Sequence, residues 1–143
     1  MHGNFDDSIG FLSTQSNKKL LRYLSSHLEK FDITPEQWIV LKRLSEQNEI
    51  NQKQLSEKVD KDPATLARIL DILERKELAF RKIDKQDRRA FIISITNKGQ
   101  ELKEQILPII ESAFQRLLNN ITDEEIEIYR KVLLKMNESL DIR

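Results

Sequence analysis

The 143-residue chain has no cysteine and contains only three glycines, three prolines and two histidines. Without cysteine it can form no disulfide, no thiolate metal site and no thiol-based redox switch. Three scattered glycines cannot build a glycine-rich phosphate loop. The two histidines, His2 and His27, are too few to suggest a metal site. We therefore expect neither a metal ion nor a cofactor.

Long hydrophobic runs and catalytic patterns are also missing from the chain. No apolar run approaches the roughly 18 residues needed to cross a membrane, and the first residues do not resemble a signal peptide. No nucleophile, histidine and acid form a recognisable set, and the adjacent Glu124 and Glu125 suit the start of a helix. We expect a cytoplasmic protein without membrane contact, and not an enzyme.

The charges that are present sum to zero, with 24 basic and 24 acidic residues, but they are unevenly distributed. Residues 1–50 carry six basic and seven acidic groups, residues 51–96 carry eleven and eight, and residues 97–143 carry seven and nine. The net charges are thus −1, +3 and −2. A basic middle section flanked by acidic ends can present one face to a polyanion such as DNA.

Apolar periodicity predicts a mainly α fold with one small β-hairpin. Helical spacing and N-caps at Thr34, Asn51, Asp62 and Thr122 predict six helices. After Leu78 the apolar period changes from 3.6 to 2, which predicts strands over residues 78–83 and 90–95 joined by the loop DKQDRR. The order is four helices, two strands and two helices.

Two short helices separated only by Asp60 and Lys61, and followed by a hairpin, form the arrangement of a winged helix-turn-helix. The second helix of such a pair fits the major groove of DNA. Its exposed start offers Ala64, Thr65 and Arg68. Arg68 has an alternative partner in Asp71, three residues further along the helix.

The hairpin loop carries Lys85, Arg88 and Arg89, which we predict to reach a neighbouring minor groove or the DNA backbone. Asp87 is placed to orient one guanidinium group through a bidentate contact. The competing interpretation is that these cations are ordinary solvated surface residues. The combination of a helix pair and a cationic wing is a more specific indication of DNA binding than either feature alone.

Four stretches resemble the MarR family of bacterial transcriptional regulators: TPEQWIVLKRL, QKQLSEKV, ATLARILDILERKEL and above all DRRAFIISITNKG. The resemblance extends over nearly all of the chain. Two departures are Glu77, where the family usually has glycine, and Lys85, where proline is common. The first is expected to alter the turn into the wing.

The resemblance implies a homodimer, with residues 1–143 as a single domain. It assigns residues 34–99 to the DNA-binding lobe and residues 8–31 and 100–140 to dimerisation helices. Two-fold symmetry then implies a pseudo-palindromic operator on double-stranded DNA. Repressors are more common than activators in the family, so the resemblance favours a repressor.

The family pattern also implies roles for particular residues. Thr65 and Arg68 would read the major groove, and Arg89, with Arg88 beside it, would enter the minor groove. Phosphate contacts would come from a helix start, at Asn51, Gln52 and Lys53.

Family members commonly respond to a small-molecule effector bound between the dimer helices and the DNA-binding lobes. Tyr23, His27 and Trp38 are candidates to line such a pocket. The competing interpretation makes Trp38 a packing residue and His27 an exposed or interface residue.

Two other functions remain open at this point. A winged helix can serve as a protein-binding module, because fold alone does not determine function. A winged helix can also bind DNA without sequence specificity, although that role favours a larger excess of positive charge than this chain has.

Overall fold

The computed structural model describes residues 4–141, so His2 lies outside the described part of the chain. These residues confirm the predicted mainly α fold with a small β wing. A π-helical turn (Asp6–Phe11) precedes the first helix, and a 3-10 turn (Glu29–Phe31) follows it. The helices are α1 (Leu12–Leu28), α2 (Pro35–Glu46), α3 (Gln52–Lys58), α4 (Pro63–Arg75), α5 (Asn97–Leu117) and α6 (Asp123–Asp141).

Three of the four predicted N-caps are confirmed by side-chain hydrogen bonds. The Thr34 hydroxyl accepts from the Gln37 amide at 3.2 Å, and the Gln37 side chain accepts from the Thr34 amide in return. Asn51 Oδ1 accepts from the backbone amide of Gln54 at 2.7 Å. Thr122 forms the same reciprocal box with Glu125, and its hydrogen bonds lower the pKa of that carboxyl group.

The capping role predicted for Asp62 is wrong in one respect. Asp62 occupies the N-cap position of α4, with an extended backbone, but its side chain makes no capping hydrogen bond. The connection between α3 and α4 is also longer than predicted, since it includes Val59 and Asp62 as well as Asp60 and Lys61. Asp60 turns the chain here with a positive φ of 53°.

The sheet has three antiparallel strands: β1 (Ile50–Asn51), β2 (Ala79–Ile83) and β3 (Phe91–Ile95), in the order β1-β3-β2. The two predicted strands are confirmed, each one residue shorter than expected. β1 was not predicted, because two residues have no measurable period. Its pairing with β3, Ile50 to Ile93 and Asn51 to Ile92, ties the start of α3 to the wing.

The residues up to Ile110 form one compact unit, and those from Glu111 onward form a second. The hydrophobic core of the first unit lies between α2, α3, α4 and the sheet. Its fully covered side chains, each at most 1% exposed, include Val40, Leu41, Leu44, Ile50, Leu55, Leu66, Leu70, Leu73 and Ile93. In the second unit, α6 buries none of its residues. No described helix is both long and apolar enough to span a membrane.

A left-handed turn at Glu77 joins α4 to β2. Glu77 has φ 62°, and its amide donates to Glu74 O at 2.9 Å while the Leu78 amide donates to Leu73 O at 2.9 Å. These two bonds close a Schellman cap, in which glycine is the usual left-handed residue. The expected effect of Glu77 on the turn is therefore explained: a residue with a Cβ atom occupies a left-handed conformation that favours glycine.

The start of α5 closes on this same turn. Thr96 donates from its amide to Leu78 O at 3.1 Å and from its hydroxyl to Glu77 O at 2.7 Å. The same hydroxyl accepts from the Gly99 amide at 2.9 Å. Gly99 packs so closely that a Cβ there would lie 2.2 Å from Leu78 O. The Thr-x-x-Gly motif is thus explained by close backbone packing.

We predict that Gly99→Ala lowers the free energy of unfolding by about 1–3 kcal/mol, because the added methyl group overlaps a backbone carbonyl. Urea unfolding measures this change. The matched control is Gly10→Ala, whose Cβ would lie 3.3 Å from a flexible Asp6 oxygen. The control should not destabilise the protein, since alanine favours a helix. An equal effect of the two substitutions would contradict the close packing at Gly99.

We predict that Glu77→Gly raises the free energy of unfolding by about 0.5–1 kcal/mol, because it relieves a left-handed non-glycine residue. The exposed pair of Glu77 with Lys98, at 3.9 Å, contributes little. Glu57→Gly on the exposed side of α3 is the control and should lower stability. Thermal unfolding of both variants decides the matter, and destabilisation by both would contradict strain at Glu77.

Candidate nucleic-acid interface

The first turn of α4 presents a polar face away from the core. Leu66, Ile69, Leu70 and Leu73 are buried on one side of the helix, whereas Ala64 and Arg68 are exposed on the other and Thr65 is half-buried. Residues 64 and 68, like residues 65 and 68, are neighbours on a helix surface. The three predicted major-groove residues therefore form one continuous patch.

Within residues 4–141, Arg68 makes no ion pair, so the alternative pairing with Asp71 is wrong. Asp71 instead contacts Arg81 of β2. Arg68 itself is exposed.

The start of α3 is held from two sides. Asn51 is the last residue of β1, paired with Ile92, and also caps α3 through its side chain. Lys53 is exposed, and Gln52 is half-buried with its Oε1 atom covered and unpartnered. This helix start is thus fixed in place with a lysine on its outer surface.

The wing tip is folded by its two aspartates. Asp84 donates its amide to Ala90 O at 3.1 Å, and its carboxylate accepts from the Gln86 amide at 2.9 Å. Ala90 donates its amide to Asp87 O at 3.0 Å, which closes a turn over Arg88 and Arg89. Aspartate is suited to such turns because its short side chain bonds the backbone two residues further along.

Asp87 orients Arg89, and not Arg88. Its Oδ1 atom accepts from the Arg89 amide at 3.1 Å and from Arg89 Nε at 3.3 Å. The contact is not the bidentate contact expected, because one carboxylate oxygen receives both bonds. The Arg89 side chain is nevertheless 93% exposed. Lys85 and Arg88 are exposed as well, so the tip directs three cations to solvent.

An open cleft of about 530 Å³ lies between the wing, the start of α3 and the first turns of α4. Five of the ten predicted DNA-binding residues line it, namely Asn51, Gln52, Lys53, Asp87 and Arg89. The other lining residues are Pro63, Ala67, Arg81, Asp84, Ala90 and Phe91. Ala64, Thr65, Arg68, Lys85 and Arg88 are not among the lining residues.

Arg81 is the functional candidate that the sequence prediction missed. Its Nη2 atom donates to Asp71 and its Nε atom to Glu74, both on α4, and its guanidinium lies 5.9 Å from the centre of the Phe91 ring. Partial burial alone lowers the pKa of Arg81, but the hydrogen bonds and charges of Asp71 and Glu74 outweigh it and raise the pKa. One signal in the sequence could have identified Arg81. Side chains alternate between the two faces of β2, and this alternation places Arg81 on the inner face.

The predicted effector residues form one pair and one separate packing residue. Tyr23 and His27, one turn apart on α1, meet edge to face with ring centres 4.6 Å apart, and His27 Nδ1 lies 2.8 Å from Tyr23 O. Trp38 is only 6% exposed and belongs to the core, as the competing interpretation held. No cluster of three or more potential metal ligands occurs within residues 4–141.

Comparison with known proteins identifies the family. The family model of MarR matches residues 33–91. SarZ of Staphylococcus epidermidis, an HTH-type transcriptional regulator, is 32% identical over 115 residues, which are 80% of this chain and 76% of SarZ. SarZ of Staphylococcus aureus is 30% identical over 115 residues, which again are 80% of this chain and 76% of SarZ.

Solved structures show the same fold. MepR of S. aureus, in a complex with DNA, superposes with a TM-score of 0.85 at 30% identity, covering 92% of this chain and 97% of MepR. A mutant MarR of E. coli, complexed with operator DNA, superposes with a TM-score of 0.86 at 28% identity, covering 94% and 99%. These relatives are regulators and not enzymes, and the chain belongs to the MarR family of transcriptional regulators.

Proposed function

We propose that this protein is a sequence-specific repressor that binds a pseudo-palindromic operator in double-stranded DNA as a homodimer. The observation that carries the proposal is the convergence of the α3 start, the first turns of α4 and the wing on one open cleft. A duplex that meets this surface contacts a helix and a cationic hairpin at the same time. In this role the protein acts in the cytoplasm.

The exposed face of α4 is the proposed major-groove reader. Ala64, the smallest of the three side chains, allows close approach, while Thr65 and Arg68 supply hydrogen-bond donors for base edges. Arginine is the residue that most often contacts guanine. Lys53 and the amides of Asn51 and Gln52 are suited to the adjacent phosphates, because the start of a helix carries partial positive charge.

Arg89 is the proposed minor-groove residue of the wing. Asp87 restrains Arg89 at two atoms while leaving the side chain exposed, so less freedom is lost on binding. Arg88 and Lys85 have no such restraint from Asp87 and are assigned to the DNA backbone. The DNA complexes of MepR and MarR, at 30% and 28% identity, support this use of the fold.

Apolar side chains of the terminal helices support the homodimer. Ile128, Tyr129, Leu134 and Leu140 of α6 are each more than half exposed, and Phe11 before α1 is 61% exposed. Water-exposed apolar surface on this scale is typical of a protein interface. A second copy of the chain, packed through residues 8–31 and 100–140, would cover it.

A small-molecule effector is the proposed signal, because family members commonly respond to such ligands. The half-buried pair of Tyr23 and His27 offers a phenol ring and an imidazole ring, which meet edge to face, as contacts for a planar ligand. Trp38 is only 6% exposed, so we assign it a packing role and not a primary contact with the ligand. Ligand binding to one state of the dimer would shift the population away from the DNA-binding state.

The experiment that tests the proposal is selection of fragmented genomic DNA from the source organism by the purified protein at physiological salt. We expect recovery of a pseudo-palindrome bound by two chains, with the stoichiometry measured by sedimentation. Retention of many unrelated fragments would favour non-specific binding, and no retention at low salt would favour a protein partner. Compounds that release the bound duplex identify the effector.

Two wing substitutions should have different effects on operator affinity. Arg89→Ala should cost about 1–3 kcal/mol, because an oriented groove contact is lost. Lys85→Ala should mainly reduce the slope of log affinity against log salt by about one, as expected for one phosphate contact. Lys42→Ala, which removes one positive charge from α2, outside the wing, the cleft and the proposed dimerisation segments, is the control. Equal affinity of Arg89→Ala and the parent protein would contradict the wing assignment.

A further inference from the structure

The strand β2 carries two adjacent cations that make ion pairs in opposite directions. Side chains alternate between the faces of a strand, so Arg81 and Lys82 point to opposite sides of the wing. Arg81 contacts Asp71 and Glu74 on the inner side. Lys82 contacts Glu49, 2.6 Å away in the turn before β1, on the other side.

The inner pairing joins the wing directly to α4. Asp71 and Glu74 are three residues apart on one face of that helix, and each accepts from a different nitrogen of Arg81. Two donors in a rigid fork fix the plane of the guanidinium, which a single ammonium group cannot do. The Phe91 ring covers it from the opposite strand, and the arginine side chain is only 23% exposed.

We infer that Arg81 is a positioning residue, which fixes the wing against α4 so that Arg89 and the reading face of α4 contact one duplex together. The inference deepens the proposed function and rests on it. Arg81 pairs with Ile93 in the middle of the hairpin, whose base is the pair Ala79 and Ile95, and Arg89 lies in the loop at its tip. A small rotation at the base therefore displaces the tip from the groove, while the two-point contact with α4 opposes that rotation.

Lys82 provides a matched control for Arg81. Both side chains leave the same strand one residue apart, and replacing either by methionine removes one positive charge from the wing. Only the Arg81 substitution breaks the contact with α4, since the partner of Lys82 lies in the turn before β1. A difference between the two variants thus reports on geometry and not on the loss of a charge.

The acids on α4 provide a second, independent test. The double variant Asp71→Ala/Glu74→Ala removes both acceptors of the Arg81 contact and, with them, two negative charges. By charge alone this variant should bind DNA more tightly than the parent. If Arg89→Ala nevertheless weakens this variant less than it weakens the parent, the change in net charge is not the cause of that difference. Both acids are partly exposed, at 53% and 33%, so the variant also serves if Arg81→Met fails to fold.

The experiment is a double-mutant cycle in the full-length protein, with the duplex most strongly retained in the genomic selection as the probe. The affinity loss caused by Arg89→Ala is measured in the parent, in Arg81→Met, in Lys82→Met and in Asp71→Ala/Glu74→Ala. Circular dichroism verifies that each variant is folded. A cycle isolates the coupling between two residues from the effect of each alone.

In the parent and in Lys82→Met we expect Arg89→Ala to weaken binding by about 5- to 150-fold, the equivalent of the contribution expected for such an arginine. In Arg81→Met and in Asp71→Ala/Glu74→Ala we expect the loss to fall below about threefold. Such a loss of coupling in both variants supports the positioning role.

The two levels of the proposal fail in distinguishable ways. If no duplex is retained in the selection, the proposed function fails together with the inference. If a duplex is retained but Arg89→Ala leaves the affinity of the parent unchanged, the assignment of Arg89 fails and the inference with it. If Arg89→Ala weakens the parent but weakens Arg81→Met or the α4 double variant by the same factor, only the positioning role is overturned. An equal decrease of the Arg89 effect in Lys82→Met would also overturn it.

Discussion

The backbone of Leu78 connects α4, the wing and α5 at a single residue. Its amide donates to Leu73 O and ends α4, and its carbonyl accepts from the Thr96 amide at the start of α5. Leu78 itself leads directly into β2. Because Gly99 packs against the same carbonyl, neither helix can shift here without breaking backbone hydrogen bonds. The direction in which the wing leaves α4 is set at this junction.

The left-handed residue at Glu77 is a consequence of that junction. A chain that ends a helix and immediately begins an outward strand must reverse within two residues, and the Schellman cap does so with both helix-end carbonyls satisfied. Here a glutamate adopts that conformation at a cost in backbone energy. The hydrogen bond from Thr96 to Glu77 O holds it there. The wing is therefore anchored by backbone bonds at its base and by the Arg81 side chain further along.

Local signals in the sequence account for most of the fold. The capping boxes at Thr34 and Thr122 depend on residues three apart, so their pattern can be read from the sequence and is confirmed. The β1 strand escaped prediction because a strand of two residues exists only through its pairing with β3. Asp62 met every local criterion for a cap and still makes no capping bond; nothing in the structure explains this.

The candidate site was predictable where its residues are close together in the sequence. Residues 51–53 and 84–89 were identified from a helix start and a hairpin loop, and the structure brings the first group into one cleft with Asp87 and Arg89. The partners of Arg81 were not predictable in this way. Asp71 and Glu74 lie ten and seven residues before it, on a different element, and local periodicity cannot show that they meet. The alternative pairing of Arg68 with Asp71 fails for the same reason, since spacing along the helix suggested the nearer arginine and Asp71 contacts Arg81 instead.

Several of the acidic residues that bring the net charge of the chain to zero pair with arginines of the wing. Asp71 and Glu74 neutralise an arginine that holds the wing, and Asp87 restrains the arginine at its tip. These carboxylates reduce the long-range attraction to any duplex, which depends on the excess of positive charge. In return they fix donors at defined positions, and fixed donors discriminate between duplexes by shape and base sequence. A neutral chain with oriented arginines is therefore better suited to selecting one site than to coating DNA in general.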